Sequence, residues 1–167
     1  MEDMAGVEER EEATALAAQA RNVVWAADGT PWQRFLRVLS GGRCGRQPGG
    51  WTVIRLDAPW QDTPSSERPG WRERAANLDG DVAFAVDYLV CARCGFAWVE
   101  WPYTMGKYQR CGLAAAGLEA LRLEYPGLSW HTLGAHFRDS RPFWTAVGAG
   151  VPGVYQQRET CSHAPAG

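Results

Sequence analysis

Tyr103-Thr104-Met105-Gly106-Lys107-Tyr108-Gln109-Arg110-Cys111-Gly112-Leu113-Ala114 runs directly into Ala115-Ala116-Gly117-Leu118-Glu119-Ala120-Leu121-Arg122-Leu123, and the fold class turns on how this stretch is read. Upstream of it, Gly95 to Thr104 has the aromatic-rich composition of a strand. Downstream, Gly112 to Tyr125 places Leu113, Ala116, Gly117, Ala120, Leu121 and Glu124 on one face of a helix, and Pro126-Gly127 stops it. The turn between them therefore delivers a helix N-terminus at a strand end. Unpaired N–H groups and about half a positive charge collect there, so a pyrophosphate can be held by backbone alone. Small residues at 112 and 114 admit a close approach. The same two residues also suit a plain turn, with Gly112 reversing the chain and Ala114 packing the helix.

Working outward, Asp81 to Val90 is apolar at Val82, Phe84, Val86 and Tyr88, which predicts a strand joined to the next through Cys91-Ala92-Arg93-Cys94 as a hairpin. Ser129 to His136 reads as a strand, Asp139 to Val147 as a short helix and Val154 to Arg158 as a last strand. Toward the N-terminus, residues 1–21 are acidic and Ala-rich and predict a solvated helix, an extension ahead of a single domain over 22–167. Asn22 to Ala27 suits a short strand. A helix apolar at Trp32, Phe35, Leu36 and Leu39 follows Asp28-Gly29-Thr30-Pro31. Ser40 to Gly50, which carries Cys44, is Gly-rich and loop-like; Trp51 to Leu56 alternates as a strand; Pro59 to Pro69 reads as a polar connection.

The Tyr103 to Ala114 segment resembles, without a gap, the strand-four to helix-three segment of the GNAT acetyltransferase superfamily. The family pattern there is Gln/Arg-x-x-Gly-x-Gly/Ala, matched by Gln109, Gly112 and Ala114, with Tyr108 as the aromatic residue before it. Ser140-Arg141-Pro142-Phe143-Trp144-Thr145-Ala146-Val147-Gly148 looks like the family's next helix, and the resemblance covers residues 82–158. It implies an α/β (α+β) fold: a mixed, mostly antiparallel central sheet flanked by helices and splayed at the family's strands four and five. It further implies an acyl-CoA-dependent N-acyltransferase that moves acetyl from acetyl-CoA to a primary amine, on a small molecule or a protein. In that reading the backbone of Gln109, Arg110, Cys111, Gly112, Leu113 and Ala114 binds the pyrophosphate. The pantetheine lies near Tyr103 and Thr104, and the splay beside Trp130 to Gly134 makes the cleft. Pro102, which cannot donate to a ladder, suits a strand leaving its neighbour.

Amine acylation needs a proton acceptor for the amine and a donor for the departing thiolate. Glu100 is the acceptor candidate, four residues before Thr104 and on the same face by simple alternation. Trp98 and Trp101 are positioned to desolvate it; a solvated strand glutamate is the plain alternative. Asp87 and His131 are further candidates with equally plain structural roles. The family often has a thiolate-donating Tyr where this chain has Trp144, an indole that is only a very weak acid. Tyr155, Tyr103 or water then becomes the donor. The same departure opens a second possibility, a non-catalytic GNAT-like module, zinc-stabilised through the Cys/His set described next, that binds acyl-CoA or regulates.

Cys91-x-x-Cys94 supplies half of a zinc site, and Cys161-x-His163 supplies two further ligands of suitable type, giving a closed, structural Cys3His set if the two halves meet. Free thiols and a redox pair are the alternatives. Cys111 stands at a helix start, where a thiol is readily ionised.

The bulk properties narrow the remaining function classes. A formal net charge of −2 lacks the basic footprint of a nucleic-acid or anionic-membrane binder. No window is apolar enough for a membrane helix, and Met1-Glu2-Asp3 does not begin a signal peptide, which predicts a cytoplasmic protein with reduced cysteines. Nine tryptophans point to an aromatic-rich core or cleft.

Overall fold

The computed structural model describes residues 2–26, 58–65 and 67–164. Among them is a mixed seven-stranded sheet in simple sequential order, flanked by helices. Helix α1 is Glu2–Ala17; the strands are β1 Val23–Trp25, β2 Trp60–Pro64, β3 Arg72–Leu78, β4 Asp81–Cys91, β5 Phe96–Thr104, β6 Ser129–Thr132 and β7 Gln156–Gln157. Helix α2 is Leu113–Glu124 and α3 is Arg141–Gly148. Strands β2 to β5 run antiparallel, whereas β1–β2, β5–β6 and β6–β7 pair in parallel. No helix among the described residues is long and apolar enough to cross a membrane. The predicted helix over Trp32 to Leu39, the Cys44 loop and the Trp51 to Leu56 strand lie outside the described residues.

The apolar alternation of β4 places Phe84, Val86 and Tyr88 on one face, against Leu113, Leu118 and Leu121 of α2. α1 reaches the same core, so the predicted solvated helix is only half right. Its Glu-rich side faces water, but Ala13 and Leu16 are buried, and the Trp60 indole donates to the Leu16 carbonyl at 2.8 Å. The opposite face of the sheet carries a second cluster of Trp71, Leu89, Cys91 and Trp98.

Three further expectations are corrected. The polar connection read over Pro59 to Pro69 contains β2, and Arg72–Leu78, where no element was expected, is β3. Asp62, fully buried on β2, accepts hydrogen bonds from Arg72, Arg74 and Tyr88, and Arg74 continues to Glu124 of α2 at 2.7 Å. These strands are held by an ionic network rather than by apolar alternation. The strand read over Ser129 to His136 stops at Thr132, because the next amides turn to the Glu100 side chain. The strand read over Val154 to Arg158 shrinks to Gln156–Gln157, since Val154 and Tyr155 have φ of 44° and 54°, outside the strand region.

Gly117 is where α2 comes closest to the sheet. A Cβ there would lie 2.6 Å from Phe84 Cε1 and 3.2 Å from Trp60 Cζ3. Gly117→Ala is therefore expected to lower stability by about 1–3 kcal/mol through overpacking. Helix propensity alone would raise it by about 1 kcal/mol, so the sign of the change in thermal midpoint decides between the two effects.

Candidate functional site

Strands β5 and β6 share only three parallel pairs, Phe96↔Ser129, Ala97↔Trp130 and Trp98↔His131. β5 then continues to Thr104 against β4 alone, so the two strands part. The Glu100 carboxylate stands at the point of parting: Oε1 accepts the amides of Leu133 and Gly134. A bulge follows at once. Glu100 is opposite Asp87 but Tyr103 is opposite Ala85, so Trp101 and Pro102 together face Val86, and Trp101 takes a φ of 50°.

The bulge overturns the expectation that Glu100 and Thr104 share a face. Glu100 pairs with Asp87 and Thr104 with Phe84, and residues three apart on a strand point to opposite sides. Glu100 therefore belongs to the face of Trp98 and Leu89. Thr104 shares its side with Phe84 and α2, and Tyr103 is 54% exposed.

From Thr104 the chain passes through a 3-10 turn at Gly106–Tyr108 to the start of α2. Gln109 Nε2 donates to the Thr104 carbonyl, tying the turn to the strand end. Arg110 and Gly112 take φ of 64° and 85°, which reverses the chain so that α2 begins without a side-chain cap. Its first-turn amides have no intrahelical acceptor. Gln109, Arg110 and Gly112 are exposed, whereas the Cys111 and Leu113 side chains are buried, so what positions 111 and 113 present outward is backbone.

Tyr155 sits elsewhere. It is fully buried between Trp130 and Trp144, and its hydroxyl accepts from Arg122 Nη1 of α2 at 2.6 Å. Burial pushes its pKa up, against the opposing pull of Arg122. Its hydroxyl braces a helix rather than facing Glu100. Trp144 stacks on His136 with ring centroids 4.7 Å apart, and both line an open cleft of about 540 Å³ with Arg141, Gln156 and Gln157. His131, whose pKa burial lowers, is held by Ser129 and the Gln156 carbonyl.

The four predicted metal ligands do converge. The ligand atoms of Cys91, Cys94, Cys161 and His163 all lie within 4.8 Å of one another, and Cys94 Sγ is 3.2 Å from His163 Nδ1. The Cys91–Gly95 turn is closed by amides of Cys94 and Gly95 bonding back to the Cys91 carbonyl, with Gly95 at a φ of 72°. The Trp98 indole anchors the incoming tail at the Arg158 carbonyl. Tetrahedral zinc with sulfur and nitrogen ligands needs ligand separations of about 3.3–3.8 Å, so small side-chain rotations suffice, and the cluster could hold a metal ion. The Cys94 thiol is pushed up to about 11 by hydrogen bonding to Cys161, with desolvation and Cys91 adding to it. The Cys161 thiol goes down: desolvation opposes this, but hydrogen bonds from Cys94, Cys91 and nearby backbone outweigh it. Crowded thiols that share protons unevenly are suited to losing them to a cation.

One feature escaped the sequence reading. Glu73, Asp87 and Glu100 are cross-strand neighbours in a single row over β3, β4 and β5. Like charges directly opposite one another are unfavourable. Burial, then Asp87, Glu67 and Asp62, push the Glu73 carboxyl up to about 7, and Asp87 is raised as well, chiefly by burial. The alternating charges of Arg72-Glu73-Arg74 were the available signal, since alternation sends the two arginines to one face and the glutamate to the other.

No protein-family model, no curated protein and no solved structure matches the chain.

A carboxyl whose pKa is raised on folding stabilises the protein fully below its unfolded value, 4.5, and that contribution is lost as pH rises through the folded value near 7. Melting curves of Glu73→Gln and the parent protein between pH 5 and 8 are expected to diverge, with the variant gaining relative stability as pH rises. Parallel curves would refute the raised pKa of Glu73.

Proposed function

We propose that the chain is an acyl-CoA-dependent N-acyltransferase of the GNAT type, transferring acetyl from acetyl-CoA to a primary amine in the cytoplasm. We further propose that it carries a structural zinc in its Cys3His cluster. The observation that carries the first reading is the parting of β5 from β6 after Trp98 and His131, next to an exposed turn that leads into an uncapped helix. The parted strands offer a slot for an extended thiol arm. The backbone of residues 110–114, where the turn enters the uncapped helix, suits its pyrophosphate.

In this reading Glu100 takes a proton from the bound ammonium, directly or through water, and the free amine attacks the thioester carbonyl. The C–S bond then breaks, and the thiolate is protonated from solvent or from Tyr103, which is exposed near the strand end. Tyr155, bonded to Arg122 in the core, is left out of that step. The two amides on Oε1 fix the Glu100 carboxylate and leave Oε2 for the proton. Zinc held by three thiolates and one imidazole has no open position, so its contribution is to join the tail at Cys161 to the β4–β5 hairpin.

Trp144 favours one alternative, a non-catalytic acyl-CoA-binding module. It is an indole where the family often has a phenol, and it is buried against Tyr155.

Acetyl-CoA at millimolar concentration is expected to raise the thermal midpoint, and no shift at saturation would count against donor binding altogether. In a thiol-release assay with a panel of amines, Glu100→Gln is expected to lose about 10²–10⁴-fold in rate while the acetyl-CoA thermal shift persists. A full shift with no thiol release from any amine would select the non-catalytic module.

Metal analysis is expected to find one zinc per chain. Chelator treatment, or Cys94→Ser, should lower the thermal midpoint and release the tail to proteolysis. A metal-free protein with unchanged stability in chelator would leave the four side chains as plain thiols and imidazole.

A further inference from the structure

The guanidinium of Arg68, from the turn between β2 and β3, lies over two indoles at once, with Cζ 5.1 Å from the Trp71 ring centre and 4.5 Å from that of Trp101. Its nitrogens approach Asp87 Oδ2 at 3.6 Å and Glu100 Oε2 at 3.8 Å. Both distances are beyond hydrogen-bond reach, so the cation is attracted without being fitted. Glu100 Oε1 is held by the Leu133 and Gly134 amides, but its Oε2 has only this loose approach. Asp87 is 6% exposed, and its Oδ1 is buried with no hydrogen-bond partner among the described residues. Glu73 stands next to Asp87 in the same cross-strand row, so the box is bordered by a further acidic group.

The occupant and its container differ in how firmly they are built. Trp71, Asp87 and Glu100 are each at most 9% exposed and stand on or beside the central strands, and the bulge that turns Trp101 outward is part of the ladder. Arg68 belongs to a tight turn fastened by its own amide to Ser65 Oγ and by its carbonyl to the Trp71 amide. Its side chain keeps 21% of its surface in contact with solvent. The walls are fixed by the sheet, whereas the cation can swing out.

We infer that Trp71, Trp101, Asp87 and Glu100 form a binding box for the guanidinium or ammonium group of a cationic ligand, and that Arg68 is an internal occupant which such a ligand displaces. Two indole faces select a flat or soft cation over a neutral group. The buried Oδ1 of Asp87 supplies an acceptor that Arg68 does not reach. Binding to the box stands on this geometry alone. The meaning of the box as acceptor recognition rests on the acyltransferase reading, under which Glu100 is shared between the box and the reacting amine and the acceptor carries a positive charge.

Agmatine, which has a guanidinium at one end and a primary amine at the other, is the probe, with the neutral butylurea as its control. Calorimetric titration without acetyl-CoA is expected to show agmatine binding to Arg68→Ala at least about tenfold more tightly than to the parent protein, the scale of one well-placed cation–π contact. Trp101→Ala in that background is expected to remove the gain, and butylurea should not bind. If Arg68→Ala folds poorly, Arg68→Gln serves in its place, and agmatine is expected to raise its thermal midpoint. Equal affinity in the parent and a folded Arg68 variant, or binding of butylurea as tight as that of agmatine, would overturn the box. Thiol release from acetyl-CoA is read separately. Agmatine that binds the box but is never acetylated keeps the box and sinks the acceptor role; acetylation of other amines without agmatine binding sinks the box and leaves the acyltransferase reading standing.

Discussion

Asp62 is the residue on which the arrangement of this sheet depends. It sits fully buried on a five-residue strand, and its carboxylate accepts from Arg72 and Arg74 of β3 and from the Tyr88 hydroxyl of β4. Arg74, itself fully buried, passes the connection to Glu124 on α2, and Arg72 reaches the Ala26 carbonyl next to β1. A buried ion set of this kind contributes little net stability compared with an apolar core, yet removing one member strands the others and costs on the order of 3–5 kcal/mol. Its structural effect is to fix register. Once Arg72 and Arg74 are held on the helix side, Glu73 has to face the other way, and the β3–β4–β5 pairing lines it up with Asp87 and Glu100. The acidic row on one face follows from the ionic network on the other.

This dependence explains what could be read in the chain and what could not. β4, β5 and α2 are legible because their apolar residues recur at periods of two or 3.6 and must all be buried together. β2 and β3 are not, since Trp-Gln-Asp-Thr-Pro and Arg-Glu-Arg-Ala-Ala-Asn-Leu bury charges as readily as carbon, and the partners that allow this are distant in the chain. The Cys/His cluster was visible from spacing because few residue types can bind a cation and all four were present. The bulge was not. Pro102 marked an irregularity in β5, but nothing local says that two residues would face one, and simple alternation then carried Glu100 to the wrong side.

The sheet consequently acts as a partition. α2 and its uncapped N-terminus lie with Phe84 and Leu118 on one face, while Glu100, Asp87 and the indole-walled cation lie on the other. The parting of β5 from β6 is the place where the two sides communicate, and Glu100 spans it by holding the amides of Leu133 and Gly134. A carboxylate in that position shapes the opening as much as it faces it.

The Cys/His cluster has a further consequence for this opening. Cys91 and Cys94 precede β5 and Cys161 and His163 follow β7, so an ion held by all four closes a single loop around β5, the turn, α2, β6 and α3. Closing that loop removes conformations in which the turn and the parted strands are disordered. A ligand resting on the turn removes many of the same conformations. Two agents that draw on one ordering equilibrium strengthen each other by the same factor, whichever binds first. Metal supply would then set the sensitivity of the cleft, with no shared atom between the two sites.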